Sequence, residues 1–143
     1  MAMWKSRVCS LMLLLSVPVG ALGEEPAVIK LGSSPAEIEA LLSSSAAVKR
    51  TTEIRTTTLA PVFKSQDQKY SFGVFSSTAG YAEFDSYSTD EFCYIVAGEA
   101  TLTASDGTVT KLEAGDAVQI PKGWKGRWTT PGYTKLFVSY SSD

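Results

Sequence analysis

Histidine and asparagine are both missing from this chain, which removes much of the usual side-chain chemistry before any fold is considered. Without imidazole there is no Ser–His or Cys–His pair and no residue that titrates readily near neutral pH. Without asparagine there is no glycosylation sequon. The remaining groups that could do chemistry lie in the second half of the sequence. Glu91 heads the run Phe92–Val96, with Cys93 two residues further on. A carboxylate on an inward strand face is either an acid or base whose pKa burial raises, or a structural group bonded to lining hydroxyls or to Tyr87. Cys93 reads as a small core residue, and as a nucleophile only if a neighbour lowers its pKa. Trp124 and Trp128 are four apart, with Lys125 and Arg127 between them, so on one strand both indoles project from the same face. They read either as a stacking wall for a small planar or sugar-like ligand, or as packing for the interior or a dimer interface.

The elements that must position these groups are mostly strands. Tyr70, Phe72 and Val74 alternate with Ser71 and Gly73, the period of a half-buried strand. Short strands with turn residues between them follow: 92–96, 100–104, 109–112, 117–120, 124–130 and 133–140. Asp106-Gly107 is a strong hairpin signal. An earlier β-branched run, 51–59, is expected to stop at Pro61, and 27–31 is expected to form an edge strand or an extended arm. Ser34-Pro35-Ala36-Glu37 combines a cap, a first-turn proline and a capping-box acid. A short helix to about Ser43 follows, docking by Ile38, Leu41 and Leu42. Short strands with no long helix between them predict an all-β sandwich or barrel.

The N-terminus has the three parts of a secretory leader. Lys5 and Arg7 precede the apolar stretch Val8 to Val19, and Ala21-Leu22-Gly23 offers a cleavage site. That stretch falls well short of the roughly 20 residues a membrane-spanning helix needs, so cleavage is expected. The organisation predicted is a signal peptide over 1–23, an N-terminal arm with a helix and first strand over 24–61, and a barrel over 62–140. The mature protein is expected to be exported, to the periplasm or the extracellular space, and free of membrane. Cys93 would remain without a disulfide partner. Loss of Lys5 and Arg7 leaves 11 basic against 15 acidic residues, with no basic run for a phosphate backbone, so no nucleic-acid partner is expected.

Two segments go beyond generic strand patterning. Six residues separate Glu91 from Gly98, and five separate Gly115 from Pro121-Lys122-Gly123. These resemble the two short motifs of the cupin superfamily. The wider run is similar to the small-cupin branch typified by ureidoglycine aminohydrolase domains. It comprises Gly73-Val74-Phe75, Gly80, Asp90-Glu91-Phe92, Gly98-Glu99, Asp106-Gly107, Ala114-Gly115-Asp116, Pro121-Lys122-Gly123-Trp124 and Trp128.

The resemblance implies a cupin double-stranded β-helix, or jelly-roll, barrel. It also implies metal-ligand positions at or beside Asp85, Tyr87, Glu91 and Gly126, of which only Glu91 keeps the family's residue. Zinc, iron and copper sites want imidazole or thiolate donors, so neither a metal nor another cofactor is expected. Asp85, Tyr87, Glu91, Cys93, Trp124 and Trp128 are the residues expected to line the pocket. The function expected is a non-catalytic module that binds a small molecule or forms a homodimer. The competing reading is a metal-independent enzyme related to the ureidoglycine aminohydrolase cupins, with Glu91 transferring a proton.

Overall fold

A computed structural model describes residues 27–32 and 34–142; the expected leader lies outside the described residues. One short helix and seven strands follow one another along the chain: α1 (Pro35–Leu42), β1 (Val48–Thr51), β2 (Thr56–Lys64), β3 (Tyr70–Phe84), β4 (Asp90–Ala104), β5 (Val109–Glu113), β6 (Ala117–Ile120) and β7 (Gly126–Tyr140). They pair antiparallel in the order β1-β2-β3-β7-β4-β5, with β6 also on β4. The long strand β7 pairs with β3 on one side and β4 on the other, and the rolled sheet is a jelly-roll barrel, as the resemblance implies. Among the described residues no helix is long and apolar enough to cross a membrane.

Helix α1 forms for the reasons its first residues suggest. The Ser34 side chain accepts from the Glu37 N–H, and the Glu37 carboxylate accepts from the Ser34 N–H, completing a capping box ahead of Pro35. Ile38 is buried, and together with Leu41 and Leu42 it covers Ala60 and Val74 on the outer face of the sheet. The arm before it, 27–31, carries no strand pairing.

Turn residues within the strands act differently from the expectation. The run 51–59 is divided by a turn, in which Thr52 Oγ1 donates to the Arg55 carbonyl. Strand β2 then continues through Pro61 to Lys64. Pro61 is tolerated because β1 pairs no further than Leu59 and the register with β3 shifts between Pro61 and Phe63, so the missing N–H interrupts no ladder. Gly98 and Pro131-Gly132 likewise end no strand, and β4 and β7 each run unbroken for 15 residues. They are one step apart in the ladder, Gly98 opposite Tyr133 and Gly132 opposite Glu99, between register shifts at Ile95/Ala97 and Glu99/Thr101. A Cβ on Gly98 would lie 2.1 Å from the Gly132 carbonyl oxygen, so the backbones cross too closely there for any side chain. The bulges also exchange the inward parity. Cys93 and Ile95 give way to Ala100 and Leu102 on β4, and Trp128 gives way to Tyr133 and Lys135 on β7.

Candidate functional site

Period-two alternation at the start of β4 turns Glu91, Cys93 and Ile95 into the barrel and leaves Phe92 and Tyr94 outside. An unpaired carboxylate there would be strongly unfavourable. Its partner is Lys135, carried inward by β7, whose Nζ lies 2.5 Å from Glu91 Oε1. Both residues are buried, at 8% and 5% exposure. The ammonium also sits 4.7 Å from the centre of the Trp128 ring and 5.4 Å from that of Phe75. Aromatic faces carry negative charge density, so the cation has favourable contacts on more than one side.

Tyr87 completes this group from the β3–β4 loop. Its N–H donates to the Trp124 carbonyl and its carbonyl accepts from the Gly123 N–H, each at 2.8 Å, which ties the loop to the Pro121–Trp124 turn. Burial, followed by the charge of Glu91 and a hydrogen bond to it, raises the phenol well above its ordinary range. Tyr87 therefore stays a neutral donor. The Cys93 thiol is pushed up to about 11, chiefly by burial; Lys135 opposes the shift and Glu91 adds to it. Cys93 remains a thiol at neutral pH and packs in the core behind the wall, so it is neither a thiolate nucleophile nor a lining residue.

In front of the ion pair is a cavity of about 580 Å³, well within the size range of small-molecule sites. Phe75, Phe84, Tyr87, Trp128, Tyr133 and Phe137 supply aromatic wall, Glu91 and Lys135 line it too, and Arg55 and Lys64 add positive charge. Trp128 stacks on Tyr133 with ring centres 5.2 Å apart. Its Nε1–H is buried with no acceptor among the described residues.

Asp85 and Trp124, both expected in the pocket, lie elsewhere. Strand β3 ends on the inward Phe84, so Asp85 follows on the outside, exposed in a groove with Lys125 and Arg127. Trp124 precedes β7 rather than sharing a strand with Trp128. It packs against Phe84 and Tyr87 at the barrel end. Lys135, Arg55 and Tyr133 were missed by the sequence reading. Lys135 had a signal: a lysine at the inward phase of Tyr133-x-Lys135-x-Phe137 is out of character for a core strand face.

The residues at the metal-ligand positions do not fit a metal. Glu91 is engaged by an ammonium, Asp85 points outward, and Gly126 has no side chain. A Cβ at Gly126 would lie 2.4 Å from the Thr103 carbonyl oxygen, so a larger residue there would displace backbone. Among the described residues no cluster of three or more Cys, Asp or Glu is arranged to hold an ion.

The EutQ-like cupin domain model, Cupin_3, matches residues 64–135, half of the 143 residues. The chain belongs to the EutQ-like cupin family. Among solved structures, the EutQ protein of Clostridium difficile is 19% identical over 71% of this chain and 81% of its own, with a TM-score of 0.58. A protein of unknown function from Rhizobium leguminosarum is 14% identical over 82% of this chain and 100% of its own, with a TM-score of 0.57. A cupin-like protein from Thermotoga maritima is 11% identical over 68% and 80% respectively, with a TM-score of 0.56. At these identities the likeness is one of fold. A search of curated proteins finds no match. The EutQ-like match, rather than the ureidoglycine aminohydrolase branch, is the family placement these comparisons give.

Proposed function

We propose that this EutQ-like cupin is an exported protein that binds a small organic molecule inside its barrel without a metal. The observation that carries the reading is the cavity of about 580 Å³ with aromatic walls and the buried Glu91–Lys135 pair. A barrel built only for stability would fill that space with side chains, because protein interiors pack closely. Aromatic walls supply apolar contact, and a few polar groups fix orientation. Export rests on the leader pattern of residues 1–23, and N-terminal sequencing of secreted protein should begin at Glu24.

Glu91 gives this site a second use, proton transfer on a bound substrate, as in the reading related to the ureidoglycine aminohydrolase cupins. The carboxylate faces the cavity beside a neutral phenol, so a proton could pass between them and a ligand. Thermal shift with aromatic, alicyclic and ureide compounds tests both uses. A ligand at a hundred times its dissociation constant should add about 2.7 kcal/mol of stability. A silent panel would sink the binding reading. Turnover of a ureide, lost in Glu91→Gln, would replace simple binding with catalysis.

A further inference from the structure

Resting on the binding reading, we propose that the ligand is a small organic carboxylate, held by its anionic end at Arg55 and Tyr133 with its apolar body against the aromatic wall. The cavity's charge is unbalanced. Arg55, Lys64 and Lys135 line it against the single carboxylate of Glu91. Lys135 is committed to Glu91, and Lys64 Nζ donates to Gln68 Oε1 at 3.1 Å. Arg55 is half-buried, and among the described residues its guanidinium makes no ion pair. A planar guanidinium is the side chain best shaped to take a carboxylate by two parallel hydrogen bonds.

The neutral polar groups point to the same class. Tyr133 is 6% exposed, lines the cavity, and its hydroxyl makes no hydrogen bond among the described residues. Burial raises its pKa, while the charge of Arg55 opposes the rise. The hydroxyl is therefore a proton donor, and it lines the same cavity as Arg55. An unpaired hydroxyl in the cavity wall favours an acceptor-rich ligand.

The test is isothermal titration of the full chain with three probes of one shape: benzoate, benzamide and benzylamine. Benzoate is expected to bind about tenfold or more tightly than benzamide, the scale of a hydrogen bond to a charged group, and benzylamine weakest. Arg55→Gln should abolish the preference, weakening benzoate far more than benzamide, and Lys64→Gln should retain most of it. Tyr133→Phe, which keeps the ring stack, should reduce the preference several-fold with Arg55 intact. Equal binding of benzoate and benzamide, or a preference that survives Arg55→Gln, would overturn the carboxylate inference and leave the cavity-binding reading standing. Failure of all three probes to bind at about 10 mM, beyond the millimolar range of weak ligands, would remove both.

Discussion

Strand β7 makes two ion pairs that look alike on paper and sit in opposite environments. Near its start, Arg127 Nη2 lies 2.5 Å from Glu83 Oε1, with the guanidinium over the Tyr81 ring at 4.6 Å. Further along, Lys135 Nζ lies 2.5 Å from Glu91 Oε1, over the Trp128 ring at 4.7 Å. The first pair joins residues directly opposite in the ladder with β3, and its side chains are 51% and 64% exposed. The second reaches diagonally, since Glu91 is opposite Ser139 and Lys135 is opposite Ile95, and its side chains are 6% and 10% exposed. Charge, distance and ring contact are shared; solvation is not. Exposed pairs in water contribute little, whereas a buried pair creates a dependence of each charge on the other. The hydrogen bonds that Arg127 donates to Glu83 raise its pKa, but solvent screens that pair. The buried pair sets charge against the cavity.

The largest expected effect comes from breaking the buried pair on one side. Lys135→Met leaves Glu91 buried without a cation, and should cost about 3–5 kcal/mol in a denaturant titration. Replacing both, as Glu91→Leu with Lys135→Met, should recover most of that loss, because a well-packed apolar pair needs no compensation. A single variant no weaker than an ordinary surface substitution would break the contrast between the two pairs.

A second difference is visible in alkali. Cys93 rises from 9.0 to about 11 on folding, so in that interval the native state holds a proton the unfolded chain has lost. Stability is therefore fully present below pH 9 and falls as pH rises toward about 11, by about 3 kcal/mol for this group. Tyr87 and Tyr133, also raised from 10.0, extend the loss in the same direction. Melting curves of Cys93→Ala should be flatter between pH 9 and 10 than those of the unchanged protein. An unaltered pH dependence would mean that the interior around the ion pair is wetter than described. The smallest effect belongs to Arg127→Ala, whose melting temperature should be indistinguishable from that of the parent at physiological salt. A clear loss there would place the outer pair in a more protected environment than its exposure indicates.

The barrel was legible in the sequence because its signals are local. The capping box of α1, the Asp106-Gly107 hairpin and the alternation at Tyr70–Val74 each depend on residues close along the chain. Glu91 could be singled out for the same reason, with Cys93 and Ile95 on its face. The pocket was legible only in part. Asp85 and Trp124 were assigned to it by counting, and counting fails where β3 ends and where β7 has not yet begun. Gly98 and Pro131-Gly132 look like strand ends in one dimension. In the folded chain they lie side by side in the β4–β7 ladder, where the two long strands approach most closely.

Sequence alone determined the fold class, the capped helix, the missing imidazole chemistry and one inward carboxylate, since these follow from composition and short-range periodicity. Only the tertiary structure decided what that carboxylate meets. Lys135 lies 44 residues away, beyond the reach of any local pattern. A pair of bulges that exchange the inward parity of β4 and β7 brings Lys135 onto the same interior as Trp128. Solvation distinguishes it from the Arg127–Glu83 pair on the same strand, and solvation is a property of what surrounds a charge rather than of its place in the chain.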